Sequence, residues 1–279
     1  MTKRGTFWRV MGLAFGCTIV GFGAIIGTRR PSNQRHWAID HARVPSVAFA
    51  DSLVRITDLR AFRYRSPEMV EPHYETRTYN LNRLTSVWLA LTPFSETWRG
   101  VAHSFVSFGF ADSSFVSISI EARREEGEEY GLLRGLGRNF EVIYVVSDER
   151  DVIGKRAAFG EFAAYLYPIR TTPTRARAVF VDMLRRAEQL RQHPEFYNTF
   201  TNSCISNLVR HVNQVVPGRI PAGIKLLAPG YADEVAQALG LIDSTVTLDV
   251  ARARYRINDR AHRYLDSADF SLQIRRSSP

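Results

Sequence analysis

Cysteine is almost absent: Cys17 and Cys204 are the two in 279 residues. Cys17 lies in an apolar N-terminal run, so the chain offers no disulfide framework, and Cys204 is left as a single free thiol. No C-x-x-C and no H-E-x-x-H occurs, and a lone cysteine is a poor ligand set, so neither a metal nor another cofactor is expected. Lysine is scarce too, with only Lys3, Lys155 and Lys225 among 37 basic residues. The rest is arginine, whose planar fork suits phosphate and carboxylate. Internal repeats and low-complexity tracts are missing, which excludes solenoids and arrays. Gly135-Leu136-Gly137 lacks the strand–helix flanks of a dinucleotide loop, so that site is set aside.

What is present is the composition of a globular protein, 45% hydrophobic and 23% charged. The length suits one sizeable domain with an appendage. A net charge of +9 fits either nucleic acid or anionic lipid. The N-terminus favours lipid, and no nucleic-acid partner is expected. Lys3, Arg4 and Arg9 precede an uncharged run from Val10 to Gly27, and Arg29 and Arg30 follow it. About 18 to 20 apolar residues just span a bilayer as a helix. No clean A-x-A cleavage site follows, so residues 1–30 read as an uncleaved, single-pass signal anchor, with a cleaved signal as the alternative.

Residues 31–50 are polar and proline-interrupted and read as a tether. Residues 51–245 read as the folded domain and 246–279 as a C-terminal extension. Strand signals run through Leu53–Ile56, Phe62–Arg65, Thr76–Tyr79, Ser86–Leu91, Val142–Val146 and Ala163–Tyr167. Val101–Phe110 and Phe115–Arg123 form the clearest hairpin, and Glu125–Asn139 reads as a charged excursion or lid. Helices follow, opening at Thr172-Pro173, at Cys204 and at Pro229. The expected class is α+β, an antiparallel sheet with helices packed on it.

Cys204 follows the capping residues Asn202 and Ser203, with Ile205, Leu208, Val209 and Val212 at helical spacing. A thiol in the first turn of a helix is expected to have its thiolate favoured. On position alone it is either a nucleophile or a buried core thiol. A nucleophile needs a base. His211 lies about 10 Å along the same helix, beyond reach. His193 precedes a proline at a helix end, His36, His41 and His73 fall in tether or turn regions, and His262 lies in a charged tail. His103 is different. Val106, Phe108 and Phe110 face one way with Val116, Ile118 and Ile120 of the partner strand. The other face then collects His103, Ser107, Ser117, Ser119, Glu121 and Arg123. Pairing Val106 with Ile118 sets His103 opposite Glu121, and a two-residue slip would set it opposite Arg123. A carboxylate that orients an imidazole completes a Cys-His-acid set.

Five stretches carry a family resemblance. They are Phe62–Arg65, Ala102–Phe110, Ile118–Glu125, Tyr144–Asp151 and Phe196–Cys204. In that order they resemble the signature blocks of the bacterial Lnb N-terminal periplasmic domain family, over about Leu53 to Asp243. The resemblance implies a thiol acyltransferase-like domain held outside the inner membrane, acting on a membrane-lipid or lipoprotein acyl group. Cys204 matches the family's nucleophile, His103 its base and Glu121 its acid position. The order His, acid, Cys is also similar to the circularly permuted branch of the papain-like NlpC/P60 fold. Arg123 and Arg124, with Asn202, are the candidate substrate-binding residues. The family's namesake carries a multi-spanning region after this domain, which this sequence does not show. Two other readings therefore stay open: a cysteine peptidase or amidase on cell-wall peptides, and a non-enzymatic membrane-tethered binding module.

Overall fold

The computed structural model describes residues 27–66, 69–95, 97–223 and 228–276. In chain order its strands are β1 (Ser46–Ala50), β2 (Leu53–Arg60), β3 (Arg63–Tyr64), β4 (Val70–Glu71), β5 (Tyr74–Asn80), β6 (Leu84–Pro93), β7 (Ala102–Phe110), β8 (Phe115–Arg123), β9 (Glu141–Ser147) and β10 (Tyr165–Pro168). The main sheet runs β1-β2-β9-β8-β7-β6-β10, with β5 also paired to β2. Its ladders are antiparallel apart from a parallel contact at Arg60↔Ser147. The helices are α1 (Glu149–Ala158), α2 (Pro173–Gln192), α3 (Cys204–Val215), α4 (Ala232–Ala238), α5 (Leu248–Tyr255), α6 (Asn258–Arg263) and α7 (Phe270–Gln273). The α+β class with packed helices is what the sequence indicates.

Helices cover both faces of the sheet. Val106, Phe108, Ile118 and Ile120 pack on Phe180 and Met183 of α2 and on Ile205 and Leu208 of α3 in one core. Phe105, Ala90 and Leu166 pack on the other face against Val152, Ile153, Ala261, Phe270 and Ile274. Strand alternation sends odd and even residues of β7 into these two cores, which is why every position of that strand is buried.

The central hairpin takes the first of the registers that its apolar alternation allows, Val106 against Ile118. Its loop is three residues long, closed by Phe110 N–H to Ser114 O at 2.9 Å. Ser113 turns through φ 63 while Asp112 accepts from the Ser114 N–H and hydroxyl.

The ends of the chain depart from the expectation. Residues 31–50 are not a free tether. Ser46–Ala50 is an edge strand on β2, and His41 is buried. The buried Arg60 holds this segment by donating to Asp40 O at 2.7 Å while its other guanidinium nitrogens grip Asp151 at 2.8 and 2.9 Å. The C-terminal extension, over its described residues 246–276, packs on the domain as well. Ile257, Ala261, Phe270 and Ile274 close the second core, and the Arg275 guanidinium lies between the Trp88 and Phe115 rings and pairs with Glu149. Their spacing is too short and too interrupted by arginine to read as one long amphipathic helix. Helix α1 also escaped the sequence reading, although Asp148 caps it and accepts from Arg150 N–H. No helix of the described residues is long and apolar enough to cross a membrane. The run Val10–Gly27, expected as the anchor, lies outside those residues except for Gly27.

Candidate active site

The sheet opens beneath Cys204. β7 pairs with β6 along its whole length, to Pro93↔Ala102, and β8 pairs with β9 to Arg123↔Glu141. Between them, β7 and β8 pair only from Gly109↔Phe115 to Val106↔Ile118. Beyond that point the two strands part. The gap between them gives side chains from opposite sheet faces a common cleft of about 500 Å³, where Cys204, His103 and Glu121 all reach the wall.

Ser203 sets the start of α3. Its hydroxyl accepts from Ser206 N–H, while the Ser206 side chain accepts from Ser203 N–H, a reciprocal capping box. Asn207 N–H begins the helical ladder on Ser203 O. The N–H groups of Cys204 and Ile205 lie at the open start of that ladder, beside the thiol. The thiol is half-buried, with the Ser104 hydroxyl 4.0 Å away. Its pKa does not fall as a helix start would suggest. Burial pushes it up, outweighing the Ser104 hydroxyl and the two N–H groups. The resting group is a thiol.

His103 is held by a relay. Its Nε2 lies 3.0 Å from Ser119 Oγ, and that hydroxyl donates to Glu121 Oε1 at 2.7 Å. The direct approach of Nε2 to Glu121 Oε1 is 3.5 Å. With its only proton given to the carboxylate, Ser119 accepts from His103, so the proton sits on Nε2 and the Nδ1 lone pair is free. Nδ1 makes no hydrogen bond among the described residues. Burial, joined by the Arg156 charge and opposed by Glu121, pushes the His103 pKa down to about 3. The imidazole is therefore neutral, which is the form a base requires.

Glu121 is the hub. Oε2 accepts from His41 Nε2 at 3.0 Å, and His41 Nδ1 accepts from Arg124 N–H at 3.0 Å, which fixes that ring's tautomer as well. Arg156 approaches Oε1 at 3.5 Å. Burial alone would raise the Glu121 pKa, but the His41 hydrogen bond and the Arg156 charge hold it well below the usual carboxylate range.

The other expected site residues fall differently. Arg123 is buried, donates to His41 O, Ala42 O and Asn33 Oδ1, and lies 4.0 Å from the Trp37 ring centre. It locks the N-terminal segment down and cannot reach a substrate. Asn202 donates to Phe196 O and accepts from Asn207, shaping the loop before α3. Arg124 does border the cleft, braced by Asp40 at 3.1 Å. Both ring nitrogens of His211 are taken, at 2.7 Å each, by Tyr144 and Asp182. Ser119, His41 and Arg156 were not singled out as site residues by the sequence. Ser119 shares the strand face of His103 and Glu121 and was open to view there. His41 and Arg156 carried no local signal.

Fold and cleft together define a helix-flanked α+β domain with a helix-start cysteine and a carboxylate-backed histidine at one opening. Comparison with protein families makes this specific: residues 71–230 match the Lnb N-terminal periplasmic domain, and the chain belongs to that family. The family's description gives the body of the protein a periplasmic setting. No curated protein and no solved structure matches the chain.

Proposed function

We propose that this protein is a cysteine-dependent acyl-transfer enzyme, anchored in the bacterial inner membrane through Val10–Gly27 and working in the periplasm on phospholipid or lipoprotein acyl groups. The observation that carries the reading is the relay His103–Ser119–Glu121, which leaves a neutral imidazole with a free Nδ1 in the cleft that Cys204 lines. The papain-like, permuted NlpC/P60 architecture belongs to the same proposal.

In the first step the Cys204 S–H proton passes to His103 Nδ1 as the sulfur attacks the acyl carbonyl. The Cys204 and Ile205 N–H groups hold the oxyanion. The ester C–O bond breaks, the leaving alcohol takes the proton from His103, and a thioester remains on Cys204. An acceptor amine then attacks, gives its proton to His103, and the C–S bond breaks as the thiolate regains a proton. No hydrogen bond joins Cys204 to His103 in the resting cleft. Such contacts commonly tighten only when substrate binds. Burial of both groups keeps the pair neutral until that moment. The cleft walls, which include Phe94, Leu132, Leu136 and Phe200, suit an acyl chain better than a polar cell-wall peptide. Arg124 at the rim is the candidate for a headgroup phosphate.

The test uses the full chain in phospholipid vesicles with a peptide bearing an N-terminal diacylated cysteine. The expected result is lysophospholipid and an N-acylated peptide, both lost in Cys204→Ala and His103→Ala. Cleavage of murein peptides without acyl transfer would replace this reading with the peptidase one.

A further inference from the structure

Several of the large apolar side chains that the fold leaves exposed gather at one place, while others such as Ile39, Met69 and Val250 lie apart from it. Leu133 is 83% exposed, Trp98 57% and Phe200 50%, and Phe94, Leu132 and Leu136 are also exposed. All six line the Cys204 cleft. They come from three separate loops, after β6, between β8 and β9, and before α3. An apolar patch rimming one opening, gathered from distant parts of a chain, marks an interaction surface.

The loops that carry it are built to hold it in place. Thr199 N–H donates to Gly135 O at 3.2 Å and its hydroxyl donates to Leu132 O at 2.9 Å, tying the β8–β9 loop to the loop before α3. A Cβ on Gly100 would collide with the Trp98 ring, so the glycine lets that ring lie flat on the backbone.

The chain's own entry point says what covers the rim. Arg138 donates to Gly27 O at 3.2 Å, and Arg29 donates to Asn139 Oδ1 at 2.6 Å. The uncharged run Val10–Gly27 therefore ends, in sequence, at the foot of the loop that carries Leu132, Leu133 and Leu136. Arg29, Arg30 and Arg138 stand at that junction, where headgroup phosphates would be met.

From this juxtaposition we infer that the rim formed by Trp98, Leu133 and Phe200 is a second membrane contact, seated in the headgroup and upper acyl region of the bilayer that holds Val10–Gly27. The inference rests on the membrane reading of that run and not on the Cys204 chemistry. Amphipathic aromatic and leucine side chains enter that zone to a depth of about 5–10 Å. The cleft then opens onto lipid instead of water, and an acyl chain reaches Cys204 without crossing the aqueous phase.

The experiment is tryptophan quenching of the full chain in phosphatidylethanolamine–phosphatidylglycerol vesicles with brominated acyl chains. Trp98 on the rim and Trp8, two residues before the run Val10–Gly27 in sequence, are the tryptophans expected to report lipid, so Trp98→Phe is expected to remove about half of the quenching. Leu133→Asp, at a position too exposed to disturb the core, is expected to weaken the Trp98 share, and Cys204→Ala to leave it intact. Full quenching retained in Trp98→Phe but lost in Trp8→Phe overturns the docking surface while keeping the anchor. Quenching in neither position overturns both. A Trp98 emission shift on adding the acylated peptide in detergent, without lipid quenching in vesicles, assigns the rim to the substrate and likewise overturns the inference.

Discussion

Replacing His103 by glutamine should flatten the acid limb of the protein's stability profile. His103 is folded in neutral, its pKa pushed down to about 3 by burial and the Arg156 charge against the pull of Glu121, while an unfolded histidine titrates near 6.5. Between those values the unfolded chain binds one more proton than the native one, so stability rises with pH across that window. The contribution is complete above about pH 6.5 and is lost as pH falls toward 3. From pH 7 to pH 5 the loss from this one group comes to about 2 kcal/mol. In a chain of this size that corresponds to a Tm drop of roughly 4–8 °C. The other groups facing the ring are Glu121, His41, Arg60 and Arg156, and all remain in His103→Gln, so the difference between the two profiles isolates the imidazole. The assay is thermal unfolding of both proteins at half-unit pH steps from 7.5 to 4.5. Parallel profiles would refute a buried neutral imidazole, and with it the base assigned to the site.

Further outcomes follow from the same geometry. Ser119→Ala removes the hydroxyl between His103 and Glu121 and leaves their 3.5 Å direct approach; losing about 1–3 kcal/mol of buried hydrogen bonding should slow Cys204 acylation roughly ten- to hundredfold, with Ser119→Thr close to wild type. Glu121→Gln should slow acylation more and leave His103 easier to mis-tautomerise, seen as a shift in the pH–rate profile. Asp151→Ala strands the buried Arg60 and should cost about 3–5 kcal/mol in denaturant unfolding. Phe270→Ala opens the second core and should cost a similar amount, about 3–5 kcal/mol, whereas a loose C-terminal extension would show no change.

Much of the sheet could be read from the sequence because alternation is a two-residue rule that the central hairpin obeys without exception. Matching Val106, Phe108 and Phe110 to Val116, Ile118 and Ile120 requires an odd-length loop but leaves a two-residue slip open; the structure takes Val106 against Ile118 with a three-residue loop. The same alternation sets His103, Ser119 and Glu121 on one strand face. It does not reveal that β7 and β8 part beyond Val106, because splaying depends on how each strand pairs on its outer side. That splaying brings Cys204, from a helix on the opposite face, to the same cleft. His41 and Arg156 were invisible for a related reason: each reaches Glu121 through tertiary packing, from a segment polar enough to pass as a tether and from a helix of weak amphipathicity. Arg123 misled in the other sense. An arginine on a polar strand face reads as a ligand for phosphate, yet backbone carbonyls at His41 and Ala42 take its donors.

The measurement that bears most directly on Cys204 as nucleophile is the intact mass of the full chain after incubation with phospholipid vesicles in the absence of any acceptor. The account predicts an added mass equal to a fatty acyl group, mapped to the peptide containing Cys204, released by neutral hydroxylamine and missing in His103→Gln. An unmodified Cys204 after phospholipid turnover, or an adduct formed equally well in His103→Gln, would contradict it.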